Sequence, residues 1–303
     1  MRIPAPTSPP SRLRITIIGC GTLGQALAHG VVKQRPGNVR LDEIVLTGRR
    51  GSHVDALQLQ FPELTVTGDN CDPCIWDADE GDTQKVHLLF LGPKPYDIPA
   101  ACAQLYPVLQ RQKDRGQSLP VIITLCPGIT IAQLQSWLPY ETPLVRAMPN
   151  TPVKVSQGAT GLFPSANVKP LEMELVQAVF RAISPTVAVL PQENHLDIVA
   201  SISGSAPAYF FHLMDSMIEA AKGLGLPESI STSLITQSCI GSGSMAHLSP
   251  GVSLAQLKND VCVPGGSTRR AMDVLDTNDW HRHVEDAVRV SWKANRAMKD
   301  GTK

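Results

Sequence analysis

The stretch from Leu13 to Gly24 constrains the fold of this chain more than any other. Leu13 to Ile18 is a short apolar run that ends at Gly19, which predicts a buried strand. Thr22 to Val32 carries Leu23, Ala26, Leu27 and Val31 at helical spacing. Between them stands Gly19-Cys20-Gly21-Thr22-Leu23-Gly24, the pattern GxGxxG. In a strand–turn–helix setting each glycine has its own task. Gly19 makes the tight turn, Gly21 lets a pyrophosphate approach the backbone, and Gly24 lets the helix lie close on the strand. Thr22 and Leu23 join them as candidate dinucleotide contacts. The competing reading is a Gly-rich turn without a ligand.

The end of the second strand, Ile44 to Thr47, bears on which dinucleotide is bound. A carboxylate there would hold the ribose 2′-OH of NAD. The chain instead reads Thr47-Gly48-Arg49-Arg50-Gly51-Ser52. Arg49 and Arg50 suit a 2′-phosphate through forked, charge-assisted hydrogen bonds, with Thr47 and Ser52 as hydroxyl donors. The expected cofactor is NADPH, with NADH still possible. The bland alternative is a solvated turn with two arginines.

Further strands are expected at Val86–Leu91, Val121–Leu125 and Leu144–Met148, with helical patterns at Pro99–Gln112 and Ile131–Trp137. Strands alternating with helices predict an α/β domain, a parallel sheet covered on both faces. Ala159–Phe163, a helix over Pro170–Ile183 and Thr186–Leu190 extend the edge of that sheet. After Pro191 the pattern becomes helical, with segments at Pro207–Lys222, Glu228–Leu248, Thr268–Leu275 and Trp280–Met298. The fold class is an N-terminal Rossmann dinucleotide-binding domain followed by an all-helical dimerisation domain. The expected divisions are a disordered leader at 1–12, the NADP-binding domain at 13–191 and the helical dimerisation and substrate domain at 192–303. So apolar a second half also points to a partner chain, a second copy.

Three loops carry further candidates. Leu91-Gly92-Pro93-Lys94-Pro95 follows a strand, at the edge where such sheets bind ligands. Lys94 is either a catalytic or cofactor-contacting lysine or an exposed residue of a rigid turn. Met148-Pro149-Asn150-Thr151-Pro152 also follows a strand, and Asn150 either holds the nicotinamide edge or the substrate, or serves the turn. Ser203-Gly204-Ser205-Ala206-Pro207 starts the first helix of the second half, as a cap or as part of the cleft. Pro264-Gly265-Gly266-Ser267-Thr268 joins an extended approach, Lys258–Val263, to a helix. Its glycines let the backbone come close to a ligand, Ser267 and Thr268 are good N-cap residues, and the helix start seats a carboxylate or phosphate.

Other chemistries find little support. Lys plus Arg equals Asp plus Glu at 27 each, which argues against nucleic acid or a membrane surface as partner. Seven cysteines, an odd and scattered number, fit a reducing cytoplasm. Cys71-Asp72-Pro73-Cys74 has no matching second pair, so no metal is expected. Met1–Ser11 is rich in Pro, Ser and Thr without an apolar signal core, and reads as a leader rather than a secretory signal. No Ser/His/Asp order or carboxylate pair stands out. Hydride transfer to a protonated C=N needs little acid–base machinery, because the cofactor carries the chemistry.

The motifs together resemble the pyrroline-5-carboxylate reductases. The segments are GCGTLG at Gly19, LGPKP at Leu91, PGIT at Pro127, RAMPNTP at Arg146, GAT at Gly158, SGSAPAY at Ser203 and QLKNDVCVPGGST at Gln256. Their order and spacing span Ile15 to about Ala271. The resemblance implies NAD(P)H-dependent reduction of a five-membered cyclic imine acid, the last step of proline synthesis, and a helical domain that interlocks with a second subunit. It implies cofactor roles for Gly19, Gly21, Gly24 and Arg49, places Asn70 near the adenosine ribose, and puts Lys94 and Pro95 at the nicotinamide side. Gly265, Gly266, Ser267 and Thr268 match the loop for the substrate carboxylate, with Thr268 bonded to the imine nitrogen.

Some positions depart from the family. Val263 stands where a serine precedes the Pro-Gly-Gly, Asn259 where an Asp is usual, and Ala206 where a Gly is usual. Gly92-Pro93 replaces small apolar residues, and the stretch between Pro250 and Gln256 is slightly longer. Two other readings stay open: a reductase of a different cyclic imine on the same fold, and a non-catalytic NADP-binding sensor.

Overall fold

The computed structural model describes residues 12–34, 40–49, 51–76 and 85–298. The expected leader falls almost wholly on residues 1–11, and Arg50 stands alone between described segments; both lie outside the described residues. The chain forms two compact units. One runs up to Gly204 and resumes at Trp292; the other is Ser205–Ser291.

The first unit is built on a sheet. Its elements are β1 (Arg12–Ile18), α1 (Thr22–Lys33), β2 (Arg40–Thr47), α2 (Gly51–Gln60), β3 (Thr65–Thr67), α3 (Pro73–Trp76), β4 (Lys85–Leu91), α4 (Ile98–Asp114), β5 (Val121–Thr124), α5 (Ile131–Trp137), β6 (Leu144–Pro149), β7 (Ala159–Pro164), α6 (Pro170–Arg181), β8 (Thr186–Val189) and α7 (His195–Val199). The strand order is β3-β2-β1-β4-β5-β6-β7-β8. β1 is flanked by β2 and β4, both parallel to it. The strand order therefore reverses direction at β1, and this is the crevice where open α/β sheets bind ligands.

Alternation along β4 shows why the sheet needs helices on both faces. Leu88 and Phe90 enter one core with Ile15, Ile17, Leu27, Val176 and Phe180. Leu89 and Leu91 enter the other with Ile18, Ile98, Cys102, Leu105 and Ile122. A strand apolar on both faces is the signature of a parallel sheet covered twice. Phe90 and Phe180 meet edge to face, with ring centroids 5.8 Å apart.

The sheet is not parallel throughout. β7 pairs antiparallel with β6, and β8 follows β7 in parallel. The reason is the connection: residues 150–158 are fewer than the dozen or so that a parallel crossover needs. A 3-10 turn over Thr151–Val155 and a left-handed Ser156 (φ 54) fold the chain straight back.

The second unit is helical: α8 (Ala206–Gly223), α9 (Glu228–Leu248), α10 (Leu254–Val261), α11 (Ser267–Thr277) and the first part of α12 (Trp280–Ala297). α10 corrects the expectation of an extended approach over Lys258–Val263. Ser253 starts this helix early by accepting a hydrogen bond from Gln256 N (3.1 Å), and Gln256 donates to Asp260 at 2.6 Å. Within Ser205–Ser291 only Pro207 and Ser231 are buried. Phe210, Phe211, Leu234, Ile240 and Met245 are each more than half exposed. A unit with so little core of its own presents an apolar surface of the kind that subunit interfaces cover.

Candidate active site

The glycine turn after β1 is held from β2. Thr47, almost fully buried, accepts a hydrogen bond from Gly19 N at 3.1 Å, and its carbonyl accepts one from Cys20 N at 2.9 Å. Gly19 has φ +65, and a Cβ there would lie 2.9 Å from Pro93 Cγ. The Gly92-Pro93 pair that departs from the family is therefore packed against the turn, and Gly92 N donates to Ile18 O at 2.9 Å. Gly24 faces β1, where a Cβ would come within 2.9 Å of Ile17 Cγ2.

Gly21 differs from both. It is the N-cap of α1 with φ −81, and nothing lies nearer to its missing Cβ than Gly19 O at 3.9 Å. The protein's own packing leaves that space open. No side chain caps α1, which leaves the first N–H groups of the helix, beginning at Thr22 and Leu23, at its positive end. An uncapped helix start behind an open glycine fits a dinucleotide pyrophosphate.

A chain of side chains extends from this turn. Thr47 Oγ1 donates to Asn70 Oδ1 (2.8 Å), and Asn70 Nδ2 donates to Gln104 Oε1 on α4 (2.9 Å). Asn70 O in turn accepts from Trp76 Nε1 at 2.8 Å. Arg49 is exposed and forms an ion pair with Asp97 at 2.8 Å. Asp97 and Gln104 were not singled out from the sequence. Both sit on the far side of β1 from their partners, and only tertiary contact reveals them.

Lys94 is exposed and precedes a 3-10 turn begun by Pro95; its Nζ lies 5.9 Å from the centre of the Tyr96 ring. Asn150 uses both ends of its amide. Oδ1 accepts from Ala159 N at 2.9 Å, and Nδ2 approaches Ser203 O at 3.3 Å. The amide thus ties the reversed β6–β7 connection to the turn over Ala200–Gly204. Ser203 contributes to that tie. Ser205 precedes α8 without a side-chain cap, and its hydroxyl lies 3.1 Å from that of Ser291.

Burial holds the nearby thiols in the neutral form. Burial pushes Cys20 up to about 12 and Cys126 to about 11. Cys126 Sγ instead donates to Pro93 O at 2.7 Å, bracing the loop before Lys94. Arg146, on β6, is buried and pairs with Glu193 at 2.8 Å. Glu193 also accepts from Ile131 N at the start of α5 (2.9 Å). Among the described residues no cluster of His, Cys, Asp or Glu could hold a metal ion. Cys71 and Cys74 flank a turn in which Asp72 accepts from Cys74 N at 3.0 Å.

The loop of the helical unit has its own geometry. Gly265 has φ +72, and Gly266, not Ser267 or Thr268, is the N-cap of α11. Gly266 N donates to Val263 O at 3.0 Å, so its N–H is already used. A Cβ on Gly266 would lie 2.7 Å from Val263 Cγ2. No side chain caps α11, which leaves the N–H groups of Ser267 and Thr268 at the positive end of the helix. Val263 is 60 % exposed beside them.

Comparison with known proteins agrees with these features. A family model described as pyrroline-5-carboxylate reductase dimerisation matches residues 193–298. The chain is 40% identical to the Delta-1-pyrroline-5-carboxylate reductase apf3 of Gibberella fujikuroi, over 93% of this chain and 95% of that one. It is 31% identical to the pyrroline-5-carboxylate reductase of Mycobacterium tuberculosis, over 92% and 94% of the two chains. A solved pyrroline-5-carboxylate reductase from Coxiella burnetii superposes with a TM-score of 0.80 at 29% identity, covering 94% and 97%. By identity and coverage of this extent the chain belongs to the pyrroline-5-carboxylate reductase family.

Proposed function

We infer that this chain reduces 1-pyrroline-5-carboxylate to L-proline with NADPH. The observation that carries the reading is a pair of uncapped helix starts in one chain, each behind glycine: α1 behind Gly21 and α11 behind Gly265-Gly266. The first suits a pyrophosphate and the second a small carboxylate.

The cofactor, when bound, supplies a hydride. The residues of this chain bind and orient. Gly21 with the N–H groups of Thr22 and Leu23 takes the pyrophosphate, while Gly19 makes the tight turn and Gly24 lets α1 lie close on β1. Arg49 meets the 2′-phosphate, with Arg50 beside it in sequence. Thr47 fixes Asn70 near the adenosine ribose, and Lys94 with Pro95 borders the nicotinamide side. Ser267 and Thr268 N–H groups take the substrate carboxylate, and the Thr268 hydroxyl bonds the ring nitrogen. Holding the substrate at both its carboxylate and its nitrogen fixes which carbon receives the hydride. The ring nitrogen takes its proton from water before the transfer, and hydride addition to the carbon of the protonated C=N then gives the secondary amine, so no side-chain acid is needed.

NADH fits the same turn without the contact to Arg49, and is the weaker cofactor in this reading. The exposed apolar face of α8 and α9 meets a second copy of the chain, giving a homodimer. Among the described residues no helix is long and apolar enough to cross a membrane. All seven cysteines are free, which suits a cytoplasmic site of action.

Steady-state oxidation of NADPH with 1-pyrroline-5-carboxylate, beside a panel of other cyclic imines, tests the reading. Efficient turnover of the first is expected. Val263 in place of a hydroxyl makes the panel necessary: turnover of another imine alone would move the substrate. Nucleotide binding without any turnover would leave a sensor.

A further inference from the structure

We propose that Asp97 competes with the 2′-phosphate of NADPH for Arg49, and so sets how strongly the chain prefers NADPH over NADH. This rests on Arg49 being the 2′-phosphate ligand.

Arg49 follows β2 and Asp97 precedes α4, in the loop after β4. β2 and β4 are the two neighbours of β1. The ion pair at 2.8 Å therefore bridges loops on both sides of the glycine turn. The backbone beneath Arg49 is pinned, because Thr47 O accepts from Cys20 N at 2.9 Å and Gly48 N donates to Thr67 O at 3.2 Å. Only the side chain can turn from one anion to another. Asp97 is also free to pair, since its side chain does not cap α4.

A guanidinium recognises a phosphate best through its fork, with two parallel N–H donors. Arg49 already gives one terminal nitrogen to Asp97. A phosphate arriving on the same guanidinium brings its charge against the carboxylate, and the two repel unless one leaves. The phosphate carries the larger charge and prevails, but binding must first break the pair. NADH has no such group, so Arg49 remains with Asp97 when NADH binds. The carboxylate weakens NADPH alone.

The test is equilibrium titration of the full chain with NADPH and with NADH, for wild type, D97N, R49A and the double variant, followed by nucleotide fluorescence. Exposed ion pairs are weak, so D97N is expected to tighten NADPH about two- to fivefold. NADH should stay unchanged, and the D97N gain should vanish in the R49A background. Weaker NADPH binding by D97N would overturn the proposal, because Asp97 would then be aligning Arg49. Equal shifts for both nucleotides, or a gain that survives R49A, would also overturn it, as general repulsion rather than competition. If R49A alone leaves the preference for NADPH intact, the 2′-phosphate role of Arg49 fails, and this proposal fails with it. Thermal melting of each variant without nucleotide checks that all four are folded.

Discussion

Substituting alanine at Gly21 and, separately, at Gly24 distinguishes a ligand glycine from a packing glycine. At Gly21 the backbone, φ −81, tolerates any residue, and the added methyl meets nothing nearer than 3.9 Å. The cost without nucleotide is the poorer N-cap, about 0.5–1 kcal/mol, a Tm fall of roughly 1–4 °C for a domain this size. The same methyl intrudes into the space proposed for the pyrophosphate. Overpacking of that kind costs about 1–3 kcal/mol, so NADPH binding should weaken roughly fivefold to over a hundredfold. Gly24→Ala should do the reverse. Its methyl would lie 2.9 Å from Ile17 Cγ2 and 3.2 Å from Cys20 Sγ, which costs about 1–3 kcal/mol of stability. Differential scanning calorimetry without nucleotide and NADPH titration measure the two effects. A Gly21→Ala protein that binds NADPH like wild type would refute the assignment of that space to the pyrophosphate.

Thr47→Val removes an acceptor from Gly19 N and a donor to Asn70 Oδ1. Leaving two polar groups unpaired should cost about 2–4 kcal/mol by chemical denaturation and loosen nucleotide binding. Thr268→Ala should lower kcat with little change in the NADPH Kd; unchanged turnover would take its hydroxyl out of the mechanism. His87, with Nε2 2.9 Å from Thr16 Oγ1, is pushed down to about 3 by burial and then by Arg14 and Lys85. The folded ring stays neutral while the unfolded one takes a proton below about 6.5. Stability present above that value is lost as pH falls from about 6.5 toward 3, at no more than about 1.4 kcal/mol per pH unit. The ring is partly exposed by area, so the observed slope should lie below that ceiling. His87→Gln should flatten the pH dependence of Tm, and an unaltered slope would assign it to other groups.

What could be read in advance was mostly local. The turn after β1 is legible because a strand, three spaced glycines and a helix follow one another within Leu13–Val32. The resemblance extended that reading to the loop before α11. Tertiary partners were hidden. Nothing near Arg49 in sequence indicates Asp97, and nothing near Asn70 indicates Gln104. The extended reading of Lys258–Val263 failed because its valines and asparagine suggest a strand or turn, while the helix is started outside it by Ser253. The carboxylate loop was legible in composition but not in detail. Its cap is Gly266, whose N–H already bonds Val263 O, so Ser267 and Thr268 are left to present backbone donors. The direction of β7 was set by the shortness of residues 150–158, a constraint of chain geometry that hydrophobic pattern does not record.

The most direct test of imine reduction is isotopic. The full chain is supplied with NADPH carrying deuterium at both C4 positions and with 1-pyrroline-5-carboxylate, and the product is examined by mass spectrometry. Hydride transfer to the C=N carbon should give L-proline bearing a single deuterium at C5. Unlabelled proline, or no proline while NADPH binds tightly, would contradict it.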